Sequence, residues 1–336
     1  MIRVGLVGLG TMGRNHLRVI LGHPDAELVA VADHNLVVLR SVFAETGATM
    51  WESGHDLLLH GGLDAVVIAS PTTTHHALVL RAIREGIPSL VEKPLAATAE
   101  EAIEIVAEAQ RLSVPVQVGH VERFNPAVQE LARCLGSAWL SAVYAIVSRR
   151  AGPFPARIRD VGVTIDLATH DVDILSWIAG ERPCSVYAEL ARRKHATNED
   201  LLFGLLRFPS GAKGMLDVNW LTPVKRRQLT VLGEEGMFEL DYLTQRLTFT
   251  RANLATQRTI FGFASTFSGE SVEIPVEKHE PLARQFASFV SSVRNKTRPT
   301  IDAEDGAWAV IGAAALLESA LVDAPIRLPA VIGGLP

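Results

Sequence analysis

Along the first 120 residues, short apolar runs alternate with stretches whose apolar positions recur every three to four residues. The runs predict strands at Ile2–Val7, Leu28–Ala32, Ala65–Ala69, Ser89–Val91 and Val114–Val118, and the periodic stretches predict helices at Thr11–Leu21, Leu36–Thr46, His75–Glu85 and Thr98–Leu112. These strands are continuously apolar, as expected of a parallel sheet covered by helices on both faces. Gly86 and Pro88 punctuate the end of one helix, and Thr98 followed by Glu101 reads as a capping box at the start of the next. Residues 1–122 are therefore expected to form an α/β domain with a doubly wound parallel sheet.

Beyond residue 125 the pattern changes to strands joined by short turns, at Leu140–Ser148, Ser185–Leu190, Leu201–Phe208, Ala212–Trp220, Arg227–Leu232, Gly236–Asp241 and Leu247–Arg251. Met215, Val218 and Trp220 give this sheet apolar positions on both faces. Val163–Ala179 reads as an amphipathic helix with Asp166, Thr169, His170, Asp173 and Trp177 along one stripe. Residues 123–336 are expected to form an α+β domain with an open, mostly antiparallel sheet. One sheet face left without helices would need a partner, which predicts a homodimer or homotetramer.

The 336 residues suit about two domains. With 48% hydrophobic and 21% charged residues the chain is ordinary globular material, and a net charge of −5 argues against nucleic acid as a partner. Two cysteines, Cys134 and Cys184, without metal-ligand spacing point to a reducing compartment, and the cytoplasm is the expected location. No uninterrupted apolar run reaches the ~18–20 residues of a bilayer span, and the start of the chain lacks the features of a signal peptide. Neither a membrane nor a metal is expected, since His75, His76, His120, His170 and His195 lack ligand spacing.

Gly8, Gly10 and Gly13 stand between the first strand and the first helix, in the G-x-G-x-x-G arrangement of a Rossmann dinucleotide site. The first glycine permits the turn, the second lets a pyrophosphate approach and the third lets helix and strand close. Thr11 and Met12 lie in the same loop. Twenty residues past Gly13, Asp33 ends the second strand, where a carboxylate accepts from the ribose hydroxyls of NAD and repels the 2′-phosphate of NADP. The other reading makes Asp33 a helix N-cap. Glu92-Lys93-Pro94 ends the Ser89–Val91 strand, at the edge where such sheets bind ligands, and Lys93 can serve there by charge or as an acid/base. Asp166 and His170 are one helical turn apart, so the carboxylate can orient an imidazole that exchanges a proton near neutral pH. Between the strand and that helix lie Arg149, Arg150, Arg157 and Arg159 with Asp160, a local charge of +3 suited to phosphate oxygens or, equally, to a solvated loop.

Together these residues resemble the Gfo/Idh/MocA family of sugar and cyclitol oxidoreductases. The resemblance rests on the glycine loop extending to His16, Ser70-Pro71-Thr72 to His75, Glu92-Lys93-Pro94, Arg123-Phe124-Asn125-Pro126 and Asp166 to Asp173. It implies Lys93, Asp166 and His170 as the catalytic set, with His170 or Lys93 taking the hydroxyl proton. Ser70, Pro71, Thr72, His75 and Glu92 are implied cofactor contacts, and Arg123 and Asn125 join Arg149, Arg157, Arg159, Asp166 and His170 as substrate contacts. Ala168 departs from the glycine many members carry. The resemblance also implies that helices near 280–294 and 303–321 return toward the first domain. The strings GHVERFNPAV, GPFPARIRDVGVTIDLATHDVDIL and GEEGMFELDYLTQ look most like the UDP-N-acetylglucosamine 3-dehydrogenase group, which oxidises the sugar 3-hydroxyl to a ketone. A dehydrogenase of free sugars or inositols, and an NAD-sensing protein without turnover, stay open beside it.

Overall fold

A computed structural model of the chain describes residues 1–155, 161–252, 256–258, 264–266 and 269–332. It divides into two units, one built from Met1–Val121 and Glu280–Ala314, the other from Glu122–His279 and Ala315–Ala330.

In the first unit, β1 (Ile2–Val7), β2 (Ala26–Ala32), β3 (Thr49–Trp51), β4 (Ala65–Ile68), β5 (Ser89–Val91) and β6 (Val116–Val118) form a parallel sheet in the order β3-β2-β1-β4-β5-β6. The order reverses between β1 and β4, and in such sheets the crevice beyond those strand ends is where ligands sit. The connecting helices are α1 (Thr11–Leu21), α2 (Leu36–Thr46), α3 (Gly54–His60), α4 (His75–Arg84) and α5 (Ala99–Leu112). The sequence patterns above omit β3 and α3, which are three and seven residues long and too short to establish a period. At α5 Thr98 accepts from the Glu101 amide at 3.2 Å, but the Glu101 carboxylate reaches the amide of Ala97 and not that of Thr98.

The second unit carries α6 (Pro126–Gly136), β7 (Val143–Ala151), α7 (Thr169–Ala179), β8 (Ser185–Ala191), β9 (Leu201–Arg207), β10 (Lys213–Asn219), β11 (Arg226–Gly233), β12 (Gly236–Asp241) and β13 (Arg246–Arg251). Then come β14 (Thr256–Arg258) paired with β15 (Ala264–Thr266), β16 (Ser271–Ile274) and the short β17 (Ile326–Arg327). The large sheet runs β16-β13-β12-β11-β7-β10-β9-β8-β17, antiparallel throughout except for β7 beside β10. Alternation along the strands turns Ile146, Leu216, Val218, Leu229 and Val231 into a core shared with Leu131 of α6 and Val172 and Leu175 of α7. On the other face Tyr144, Phe203, Leu205, Met215 and Leu232 are exposed.

The Val163–Ala179 segment differs from the amphipathic helix expected of it. Its first turn, Thr164–Ala168, is a π-helical turn leading into α7, and α7 is buried on nearly every side. A buried helix can hold Asp171 and Asp173 because each meets an arginine, as described below, while Thr169 and Ser176 donate to the carbonyls of Ile165 and Val172. Arg149 and Arg150 likewise belong to β7 and not to a loop.

The two terminal helices are α8 (Pro281–Asn295) and α9 (Ala303–Val322). Phe286 and Phe289 of α8 complete the core of the first unit. By length and composition α9 is apolar enough to cross a bilayer, which the search for uninterrupted apolar runs does not register, yet 61% of its apolar window is buried in protein.

Candidate active site

In the first unit, one chain of contacts links the ends of β1, β2, β4 and β5. Gly8 has φ +89°, and a Cβ there would lie 2.6 Å from the backbone of Ala69, so the glycine turn and the Ser70 turn press together. A Cβ on Gly13 would lie 1.9 Å from the Gly8 carbonyl oxygen, whereas one on Gly10 would meet nothing within 4 Å. Gly10 is the N-cap of α1, no side chain caps the helix, and Thr11 and Met12 of its first turn are exposed. That is the cradle a pyrophosphate requires.

Asp33 Oδ2 accepts from the Leu9 amide at 2.7 Å and Oδ1 from the Asn35 amide at 2.8 Å. The N-cap of α2 is Asn35, which accepts from the Val37 and Val38 amides, so Asp33 does not cap that helix. Its carboxylate instead braces the glycine loop.

On the other side of β1, His75 is buried with Nδ1 2.8 Å from the Pro94 carbonyl and Nε2 3.0 Å from that of Ser70. One imidazole thus ties the Ser70-Pro71-Thr72 turn to the Lys93-Pro94 turn, whose peptide is cis. Burial pushes the His75 pKa down. Glu92 is buried, with Oε1 2.7 Å from Nε2 of the fully buried His16. Burial works to raise the Glu92 pKa, but the His16 hydrogen bond and charge, aided by Lys93 and His75, hold it below the ordinary range. Gly119 completes the wall, since a Cβ there would come within 3.1 Å of Glu92 Oε2.

In the second unit the polar residues form ion pairs. Arg123 donates from Nε to Asp173 Oδ2 at 2.9 Å and lies 5.8 Å from the ring centre of Trp177. Asn125 caps α6, accepting from the Ala127 amide at 3.1 Å while donating to the Tyr242 carbonyl at 3.1 Å. Arg150, buried, is held by Asp171 at 3.0 Å and by Glu122 at 3.0 Å, and Ser148 also donates to Asp171. Arg149 pairs with Asp217 at 2.6 Å on the exposed face. The basic cluster expected from the sequence is therefore partly neutralised by carboxylates that stand far from it in the chain. Arg123, Asn125 and Arg149, expected as substrate contacts, are engaged in holding the fold. Arg157 and Arg159 lie outside the described residues. Asp166 and His170 are partly buried, in the π turn and at the start of α7. Among the described residues no group of three metal-ligating side chains occurs.

Residues 2–120 match the model of an oxidoreductase family with an NAD-binding Rossmann fold, and residues 128–239 match the GFO/IDH/MocA C-terminal domain. An inositol 2-dehydrogenase of Rubrobacter xylanophilus is 30% identical over 97% of this chain and 93% of its own length. The chain belongs to the Gfo/Idh/MocA family. This family comprises NAD-dependent oxidoreductases acting on sugar or polyol hydroxyls, and NAD is the cofactor of its Rossmann domain. The UDP-N-acetylglucosamine 3-dehydrogenase of Acidithiobacillus ferrooxidans is 26% identical over 87% of this chain and 88% of its own length. Among solved structures, the WlbA dehydrogenase of Bordetella pertussis in complex with NADH and UDP-GlcNAcA superposes with a TM-score of 0.81 at 26% identity, covering 98% of this chain and 99% of that one.

His16, which the motif names only as the end of the glycine loop, has a role that spacing does not show, as the partner of Glu92. His16 was legible as a polar residue on the core-facing side of α1, among Gly13, Leu17 and Ile20.

Proposed function

We propose that this chain oxidises the 3-hydroxyl of UDP-N-acetylglucosamine, or of a related nucleotide sugar, to a ketone. The observation that carries this reading is the similarity to the Acidithiobacillus UDP-N-acetylglucosamine 3-dehydrogenase through both family domains. Bound NAD supplies the hydride acceptor. The Gly8–Gly13 loop offers amides to its pyrophosphate, Asp33 offers a carboxylate to the adenosine ribose, and the Ser70–Thr72 turn with His75 and Glu92 shapes the nicotinamide end. Lys93 or His170 takes the proton released from the sugar hydroxyl, and Asp166, one turn before His170, orients the imidazole. The protein works as an assembly of identical chains.

The Rubrobacter relative supports a second reading, oxidation of an inositol. Mixing the protein with NAD and either UDP-N-acetylglucosamine or myo-inositol, while following reduced nicotinamide by absorbance, separates the two. We expect turnover of the nucleotide sugar, and a His170→Ala variant should lose about 10²- to 10⁴-fold of it. Turnover of inositol alone would transfer the assignment. Binding of NAD with no turnover across a sugar panel would make the chain a sensor.

A further inference from the structure

Arg227 is set apart from Arg123 and Arg150, the buried arginines described above. Cross-strand register puts Arg227 opposite Arg150, Leu229 opposite Ser148 and Val231 opposite Ile146, all on the face of the sheet turned to α7. Residues directly opposite in an antiparallel pair share a face, and like charges there repel. Arg150 is balanced by Asp171 and Glu122, and Arg123 by Asp173. Among the described residues Arg227 has no such partner. Its Nη1 donates to the carbonyls of Ala151 and Arg226, both at 2.8 Å, and no carboxylate among the described residues pairs with it. Nε and Nη2 make no hydrogen bond among those residues. Burial, with Arg150 alongside, pushes its pKa below the usual guanidinium value, against the pull of Asp171, Glu122 and Asp166.

A half-buried cation placed beside another cation, with carbonyls on one nitrogen only, keeps donors to spare for an anion. Its position suggests what completes it. Arg227 stands at the start of β11, beside Ala151 at the end of β7 and the Gly152 that follows it.

We propose that Arg227 is a specificity-determining residue that binds an oxyanion group of the substrate, the phosphate of a nucleotide sugar or the carboxylate of a uronic acid. The planar guanidinium suits either group, and its free donors present a fork that a neutral polyol cannot neutralise. This inference rests on the dehydrogenase reading above and adds to it the charge of the substrate.

The test uses the NADH-loaded protein, titrated calorimetrically with UDP and, separately, with glucuronate, for wild type, Arg227→Met and Arg227→Lys, beside thermal unfolding of each. Arg227→Met should weaken binding of the recognised anion about 30-fold, the effect of removing one partner of a partly buried charge pair. Arg227→Lys should fall between. With a turned-over anionic substrate, Arg227→Met should raise KM far more than it lowers kcat. Its unfolding temperature should change little, because the loss of two carbonyl hydrogen bonds is offset by removal of the repulsion from Arg150. Loss confined to UDP identifies the phosphate, and loss confined to glucuronate identifies the carboxylate. The second result supports Arg227 and moves the substrate from a neutral hexosamine to a uronic acid, free or nucleotide-linked. Unchanged binding of both anions, even in an enzyme that oxidises UDP-N-acetylglucosamine, would overturn the proposal. So would a lowered unfolding temperature with equal loss of NADH binding, which marks a structural role.

Discussion

His16 and Glu92 show how one buried pair can serve both stability and the site. An ionised carboxylate only accepts hydrogen bonds, so the 2.7 Å contact requires the proton on His16 Nε2. The pair lies directly before Lys93, and Gly119 leaves the carboxylate just enough room. Because Glu92 is held below the ordinary carboxylate range, its contribution to stability is complete above the unfolded value of about 4.3 and is lost as pH falls through the lower folded value. His16→Leu removes the dominant opposing interaction and leaves burial to raise the Glu92 pKa. We expect this variant to be destabilised by about 3–5 kcal/mol near neutral pH. With that carboxyl raised above its unfolded value, the sign of its contribution reverses, and the variant should regain stability relative to wild type as pH falls from 8 toward 4. His16→Gln, which retains an N–H donor, should recover part of the loss. Denaturant unfolding between pH 4 and 8 measures all three proteins, and parallel stability curves would show that the contact contributes nothing to the charge of Glu92.

At the scale of elements, ion pairs decide which segments can be buried. Arg123 reaches from the helical turn Val121–Phe124 to Asp173 on α7, and both side chains are almost fully buried. Removing either alone leaves a buried charge, at a cost of about 3–5 kcal/mol, while replacing both with apolar residues should cost far less. A double-mutant cycle on Arg123→Met and Asp173→Leu should therefore show strong coupling in unfolding free energy. If the double variant refolds but binds substrate poorly, Arg123 also has the recognition role the motif implied; unimpaired binding would leave it a purely structural residue. The same pairing explains which parts of the chain were legible. Strands β1, β4 and β5 and helices α1 and α2 follow from local runs and periods, and the glycine loop with Asp33 follows from spacing tied to a strand-to-helix junction. The charge balance of Arg150 does not, because Asp171 and Glu122 become its partners only through folding. Nor does the burial of α7, whose aspartates read as a solvated stripe until the arginines opposite them are known. The sequence patterns omit the helix Pro126–Gly136, whose start signal, Asn125 as N-cap and Pro126 in the first turn, lies inside the RFNP string that the family resemblance assigns to the substrate.

For the whole molecule, the outer face of the nine-stranded sheet poses the remaining problem. Phe203 and Leu205 on β9 are 51% and 52% exposed, and Met215 on β10 and Leu232 on β11 join them across neighbouring strands. A row of large apolar side chains on one sheet face is more than the scattered exposure of a soluble surface, and it favours burial against another protein. The charges beside this row come in opposite signs, with Arg149 paired to Asp217 and Arg246 to Glu273. A face carrying both signs can meet its own copy about a two-fold axis without net repulsion, so a second copy of this chain is the occupant we propose. Light scattering at micromolar concentration should give the mass of a dimer or a larger even assembly. Phe203→Glu with Leu205→Glu should shift it to the monomer, since an interface that buries two like charges against their symmetry mates is strongly disfavoured. The monomeric variant should still bind NAD, because the glycine loop, Asp33 and the His75 brace all belong to the other unit of the same chain. A monomeric mass for the unaltered protein, or an unchanged mass for the variant, would remove this face from the assembly.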